Sequence, residues 1–136
     1  MTPRPIAVAV VVHAGRVLVG RRADDAAEQP GRAEFPGGSV EPHETSAAAA
    51  LRECVEEAGI AIRVLDRTVE VVAASAQPPV AITFHWATPL DPDALPRPPF
   101  AWVPIAELPR LNFPAANAQV IAMLGGENAT VGHGGS

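Results

Sequence analysis

A chain of 136 residues that is 48% hydrophobic and 18% charged has the size and composition of one domain built on a single core. Its formal net charge of −5 leaves no basic footprint for polymeric nucleic acid or for an anionic membrane surface. The single cysteine, Cys54, excludes an intramolecular disulfide; the apolar run Ile6–Val12 is far too short to span a bilayer and follows no signal-peptide pattern, so a cytoplasmic protein is expected.

In chain order, Ile6–Val12 reads as a central strand buried on both faces, and Arg16–Arg22 as its hairpin partner across Ala14-Gly15. Ala23–Ala33 reads as a polar loop. A helix is predicted over about Thr45–Ala58, ended by Gly59 in the left-handed conformation that suits glycine. The β-rich stretches Arg63–Ala74 and Val80–Thr88 flank a turn at Gln77-Pro78-Pro79. Prolines at 89, 92, 96, 98 and 99 mark an extended loop before a strand at Phe100–Val103. A last helix is expected to start between Pro114 and Asn117 and to run to Leu124. Residues 125–136 are glycine-rich without an apolar period and read as a disordered tail, which leaves 1–124 as one domain. The sequon Asn128-Ala129-Thr130 means little without secretion.

The densest information lies between Gly38 and Ile60. These residues satisfy every specified position of one spaced pattern, G-x5-E-x7-R-E-U-x-E-E-x-G-U with U apolar: Gly38, Glu44, Arg52, Glu53, Glu56, Glu57 and Gly59, with Cys54 and Ile60 in the apolar slots. At background frequencies of roughly 5–7% per specified residue, a chance match at a given start is on the order of 10⁻⁹. On a helix turning roughly 100° per residue, Glu56 and Glu57 lie about 60° and about 40° to either side of Glu53, so three carboxylates share a face. An oxygen-rich cluster of this kind suits Mg²⁺, with Mn²⁺ as a substitute. Its acids should repel one another and raise at least one pKa in the metal-free protein. Ala47, Leu51, Cys54, Val55 and Ala58 recur at helical spacing on the opposite face and are expected to pack on the core. Arg52, four residues before Glu56 and next to Glu53, can hold a carboxylate in one orientation. The same helix could be only a solvated amphipathic one. That reading leaves Gly37, Gly38, Glu44 and Arg52 without an explanation at their offsets.

This pattern is the Nudix box, and the resemblance extends from Ile6 to Leu124. Arg21-Arg22-Ala23, Glu34-Phe35-Pro36-Gly37-Gly38, the Trp102-Val103 strand and Phe113-Pro114-Ala115-Ala116-Asn117 before Val120-Ile121-Ala122 are similar to the MutT branch of the Nudix hydrolases. The resemblance implies an α/β fold, an α/β/α sandwich with a mixed central sheet. It also implies Mg²⁺-dependent cleavage of a nucleoside triphosphate to the monophosphate and pyrophosphate, with 8-oxo-dGTP as substrate and cleansing of the nucleotide pool, a form of DNA repair, as the role. The implied metal shell maps to Gly37, Glu53, Glu56 and Glu57. Glu53 is assigned as the general base, with Glu56 and Glu57 as the alternatives for that role, and these three with Arg52 and Glu44 make up the catalytic set. Arg22, Phe35, Gly38 and Asn117 are the substrate-binding candidates; surface solvation competes for Arg22, the core for Phe35, and a helix N-cap for Asn117. The partner is a small nucleotide, and the chain is expected to be a monomer or a small homo-oligomer.

Two features separate the chain from relatives. Some add a fourth glutamate in the loop before the strand at Phe100–Val103, where this chain has Pro96 and offers only Asp91 and Asp93 as carboxylates. Ala33 stands where relatives often place a large residue. The alternatives are a Nudix pyrophosphatase for undamaged nucleotides such as CTP or for nucleoside diphosphate derivatives such as ADP-ribose, and a nucleotide-sensing module without catalysis. Absence of tyrosine argues against some dinucleoside-polyphosphate hydrolases, Pro78 and Pro79 come late for the ADP-ribose type, and the full set of box carboxylates argues against a sensor.

Overall fold

The computed structural model of the chain describes residues 2–134 other than positions 24, 26, 28 and 29, with the backbone alone for 129–134. Part of the expected polar loop at Ala23–Ala33 therefore lies outside the described residues. The elements are β1 (Arg4–His13), β2 (Arg16–Arg21), β3 (Ala33–Glu34), β4 (Gly37–Ser39), α1 (Ser46–Ala58), β5 (Ile62–Ala73), β6 (Val80–Pro89), β7 (Phe100–Pro104) and α2 (Ala118–Gly134), with 3₁₀ turns at Ile105–Arg110 and Ala115–Asn117.

β1 is the axis of a seven-stranded mixed sheet. Along one edge it pairs in parallel with β6 from Arg4↔Val80 to Val11↔Ala87, and β5 closes that side antiparallel to β6. Its other edge is divided. β4 takes Ile6–Val8, and β2 turns back at Val12↔Val17 through Ala14 and Gly15, both at positive φ. β2 in turn carries β3 and β7.

Alternation along β1 builds the two faces. Ala7, Ala9 and Val11 join Leu18, Ala49, Ala50, Cys54, Ala58 and Ile60 under α1, whereas Val10 joins Phe84, Trp86, Leu108, Val120 and Leu124 under α2. A strand paired along its length and covered on both faces must be apolar throughout, which is why Ile6–Val12 shows no polar alternation. On the α1 face the contact residues are mostly alanines, and short side chains let the helix approach the sheet closely. That approach brings the acids of α1 against β4.

Two expectations are corrected. The buried row of α1 is Ala49, Ala50, Cys54 and Ala58, while Leu51 and Val55 are each 41% exposed. The helix is thus rolled from the orientation its largest apolar residues suggest, because the small residues, not the large ones, fit beneath it. The last helix does not stop at Leu124: α2 runs to Gly134 through the segment expected to be disordered, and Glu127 forms an ion pair with Arg67 of β5. Arg67 also lies 4.5 Å above the Trp86 ring, so α2, β5 and β6 are tied together beyond the apolar part of the helix. Among the described residues, no helix is long and apolar enough to cross a membrane.

Candidate active site

α1 is framed by two caps. The Thr45 hydroxyl accepts the Ala48 N–H at 3.1 Å, and Gly59, at φ 70°, returns its own N–H to the Val55 carbonyl. All three box acids fall in the last two turns of this helix.

β4 runs beside those turns, and its two glycines are there for different reasons. A Cβ on Gly38 would stand 2.6 Å from Cδ of Glu53, so the Glu53 carboxylate occupies the space that any side chain would need. A Cβ on Gly37 would stand 2.6 Å from the Ala7 carbonyl oxygen, so there β1 itself forbids a side chain. With nothing in the way, the Gly37 N–H donates to Glu57 Oε1 at 2.8 Å.

Arg52 organises the opposite side. Its Nε and Nη2 donate to the two Glu44 oxygens at 2.7 and 3.0 Å, its Nη1 donates to Glu53 Oε1 at 2.9 Å, and its Nη2 also reaches the Ser39 carbonyl at 3.2 Å. Glu44 accepts the Glu41 N–H as well. The fork–fork contact with Arg52, followed by that backbone bond, holds the Glu44 carboxyl down at about 2, and Glu44 first among its partners holds Arg52 protonated. Both oxygens of Glu44 are engaged, so the pair positions the acids from behind.

The three acids are not equivalent. Glu53 is enclosed, with its side chain 17% exposed; Glu56 is open at 58% and touches Arg52 only at 3.4 Å. Burial pushes the Glu57 carboxyl up to about 7, against the Gly37 hydrogen bond that lowers it, and Glu53, Glu34 and Glu56 add repulsion. The expected rise is present on one acid, with desolvation rather than crowding as its main cause. Among the described residues no three His, Cys, Asp or Glu side chains converge on a common centre: Glu57 is turned to Gly37 and Glu53 to Arg52. The donor set nevertheless consists of carboxylate oxygens beside a glycine backbone, with no nitrogen or sulfur, and that chemistry fits Mg²⁺ or Mn²⁺. Cys54 does not compete, because it is fully buried and desolvation, with Glu57 adding to it, pushes its thiol up to about 12.

Gly37, Gly38, Glu44, Arg52, Glu53, Glu56 and Glu57 thus meet in one place. Arg22 is exposed just beyond the end of β2, and no hydrogen bond or ion pair joins its side chain to any of them. Phe35 is 5% exposed in the α2-side core, its ring 4.9 Å from that of Phe113, as the core reading anticipated. Asn117 is 8% exposed in the 3₁₀ turn that leads directly into α2, and its side chain forms no hydrogen bond with another described residue. Asp91 is engaged in its own loop, accepting the Asp93 N–H at 2.9 Å, and neither aspartate bears on the acids. The carboxylate that does is Glu34 on β3, which belongs to the MutT-like stretch Glu34–Gly38 but was not among the site candidates. Its signal was an acid three residues before the glycine pair.

The family model of the NUDIX domain matches residues 3–124. The chain belongs to the Nudix family. The Nudix fold is also that of a MutT NUDIX hydrolase from Burkholderia pseudomallei, at 26% identity, covering 87% of this chain and 95% of that one with a TM-score of 0.64. The ORF135 protein of E. coli, at 23% identity, covers 90% and 88% with a TM-score of 0.70. An Ap4A hydrolase from C. elegans, at 22% identity, covers 96% and 99% with a TM-score of 0.72. No curated protein matches the sequence. This Nudix domain is accordingly a hydrolase of pyrophosphate bonds, and the differing neighbours leave its nucleotide open.

Proposed function

We propose that this Nudix hydrolase converts 8-oxo-dGTP to 8-oxo-dGMP and pyrophosphate, a cytoplasmic reaction that removes a mutagenic precursor from the nucleotide pool. Asn117 carries the choice of base. Among the described residues it is one of two buried polar ones, the other being His85, whose Nε2 is occupied by the Ser46 hydroxyl at 2.7 Å. The Asn117 amide forms no such bond with another described residue, and it stands in the turn that follows Phe113, whose ring pairs with Phe35. An amide offers one acceptor and two donors. Oxidation converts guanine N7 from an acceptor into an N–H donor, so the amide oxygen can accept from N7–H while its NH₂ donates to O6. Unmodified guanine presents two acceptors and leaves the amide oxygen unpaired.

Glu53, Glu56, Glu57 and the Gly37 backbone would hold Mg²⁺, which supplies neutralisation of phosphate charge and lowers the pKa of a bound water. The chain's own contribution is positional. Arg52 fixes Glu53 against Gly38, Glu53 takes the proton of the attacking water, and Glu44 keeps Arg52 from turning toward solvent. With a net charge of −5, affinity for the triphosphate comes through the cation rather than through a basic surface.

Measuring kcat/KM for 8-oxo-dGTP and dGTP, with pyrophosphate and orthophosphate assayed separately, tests this. Wild type should release pyrophosphate and prefer the oxidised nucleotide, and Asn117→Ala should keep hydrolysis of dGTP while losing most of the preference. An unchanged ratio in the variant, or orthophosphate as product, would overturn the assignment.

A further inference from the structure

We propose that Arg97, in the loop between β6 and β7, is a positioning residue for the acids of α1: it clasps the last turn of the helix and so sets their affinity for a divalent cation. The inference rests on the reading of those acids as the cation site.

The last turn of α1 needs outside help. Its final carbonyls lack intrahelical partners, and a helix end carries partial negative charge. Here that end bears Glu53, Glu56 and Glu57, and α1 has no basic residue in its last turn. Acids at a helix C-terminus are unfavourable, so this sequence works against its own helix where the chemistry sits.

Arg97 supplies what is missing from 41 residues away. Its Nη1 donates to the Glu56 carbonyl at 2.8 Å, and its backbone N–H donates to the Ala58 carbonyl, also at 2.8 Å. Gly59 takes the Val55 carbonyl, so three carbonyls of the last turn are satisfied, two of them by Arg97. Nη2 would lie 3.1 Å from a Cβ on Gly59, so the glycine that turns the chain also admits the guanidinium. The loop is itself anchored: the Leu90 N–H donates to the Ala61 carbonyl, the Phe100 N–H to the Arg97 carbonyl, and Trp102 Nε1 to the Ala94 carbonyl. Arg97 therefore pulls on the helix from a fixed base. Glu56 has most to lose, since among the described residues its carboxylate meets only Arg52, at 3.4 Å, and its main chain is what Arg97 holds.

The experiment is Mn²⁺ binding to nucleotide-free protein, by calorimetry or electron paramagnetic resonance, for wild type, Arg97→Ala, Arg97→Lys and the distant charge control Arg110→Ala. Thermal unfolding is recorded alongside. Fraying of the turn should weaken Mn²⁺ binding in Arg97→Ala by about three- to tenfold. Arg97→Lys, which can still reach one carbonyl, should recover part of the loss, and Arg110→Ala should match wild type. Equal or tighter binding in Arg97→Ala, even with a lowered Tm, would show that Arg97 is a structural cap and overturn the proposal. Wild-type protein that fails to bind Mn²⁺ would overturn the cation-site reading itself.

Discussion

Gly37 and Gly38 stand side by side, yet substituting them should give opposite phenotypes. At Gly38 the added methyl meets the far end of a flexible side chain, Glu53, which can swing aside. At Gly37 it meets the Ala7 carbonyl and the Cα of Val8, which cannot move without parting β4 from β1. Gly37→Ala should therefore lose roughly 1–3 kcal/mol of stability or more, as overpacking does. Gly38→Ala should keep a near-native Tm and lose activity, because the displaced carboxylate is the assigned base. Thermal melts and kcat for both variants decide this; a destabilised but active Gly38→Ala would separate Glu53 from the chemistry. Glu57 makes a second residue-scale prediction. With its carboxyl raised to about 7 from 4.5, the metal-free protein keeps the associated stability at low pH and loses it as pH rises through about 7. Cation binding has the opposite slope, since it must expel the proton. Mn²⁺ affinity should rise as pH passes about 7, and Glu57→Gln should flatten that rise; a wild-type affinity independent of pH between 6 and 8 would place the proton elsewhere.

At the scale of elements, legibility followed length and periodicity. β1, β2, β5, β6, β7 and α1 were readable to within a residue or two because each is either a stretch rich in apolar and β-branched residues between turn signals or a capped helical period. β3 and β4, of two and three residues, are too short for any pattern, and their pairing is decided by β2 and β1. The roll of α1 was not readable either. Leu51 and Val55 are larger than Ala50 and Ala58, and a sequence argument weighted by hydrophobicity places them inside. What settles the matter is the space left by Ala7 and Ala9 across the interface, a property of the pair and not of the helix. The box residues were legible because a conjunction of spaced glycines, acids and an arginine has few other uses. Glu34 and Arg97 were not, because each is an ordinary charged residue until folding brings it to α1.

For the molecule as a whole, the question is what α2 does beyond Leu124. The family match ends at Leu124, while the helix continues to Gly134. Glycine is a poor helix former, at about 1 kcal/mol per residue, so Gly125 and Gly126 would not extend this helix on propensity alone. The Arg67–Glu127 pair, with Arg67 stacked on Trp86, gives the extension an anchor on β5 and β6. Arg67 and Glu127 are 42% and 43% exposed, so solvent screening holds that ion pair to roughly 0–1 kcal/mol. The stacking contributes about 0.5–1 kcal/mol more. The acids are borne by α1, which packs on the Ala7 and Ala9 face of the sheet, whereas this anchor holds α2 on the Val10 face. A chain ending at Leu124 should therefore fold, lose roughly 1 kcal/mol and hence about 2–8 °C in Tm, shift its tryptophan emission as Trp86 gains water, and retain kcat/KM. Loss of activity from a truncated chain that melts within those few degrees would mean instead that the extension shapes the nucleotide site, and would move α2 from support to function.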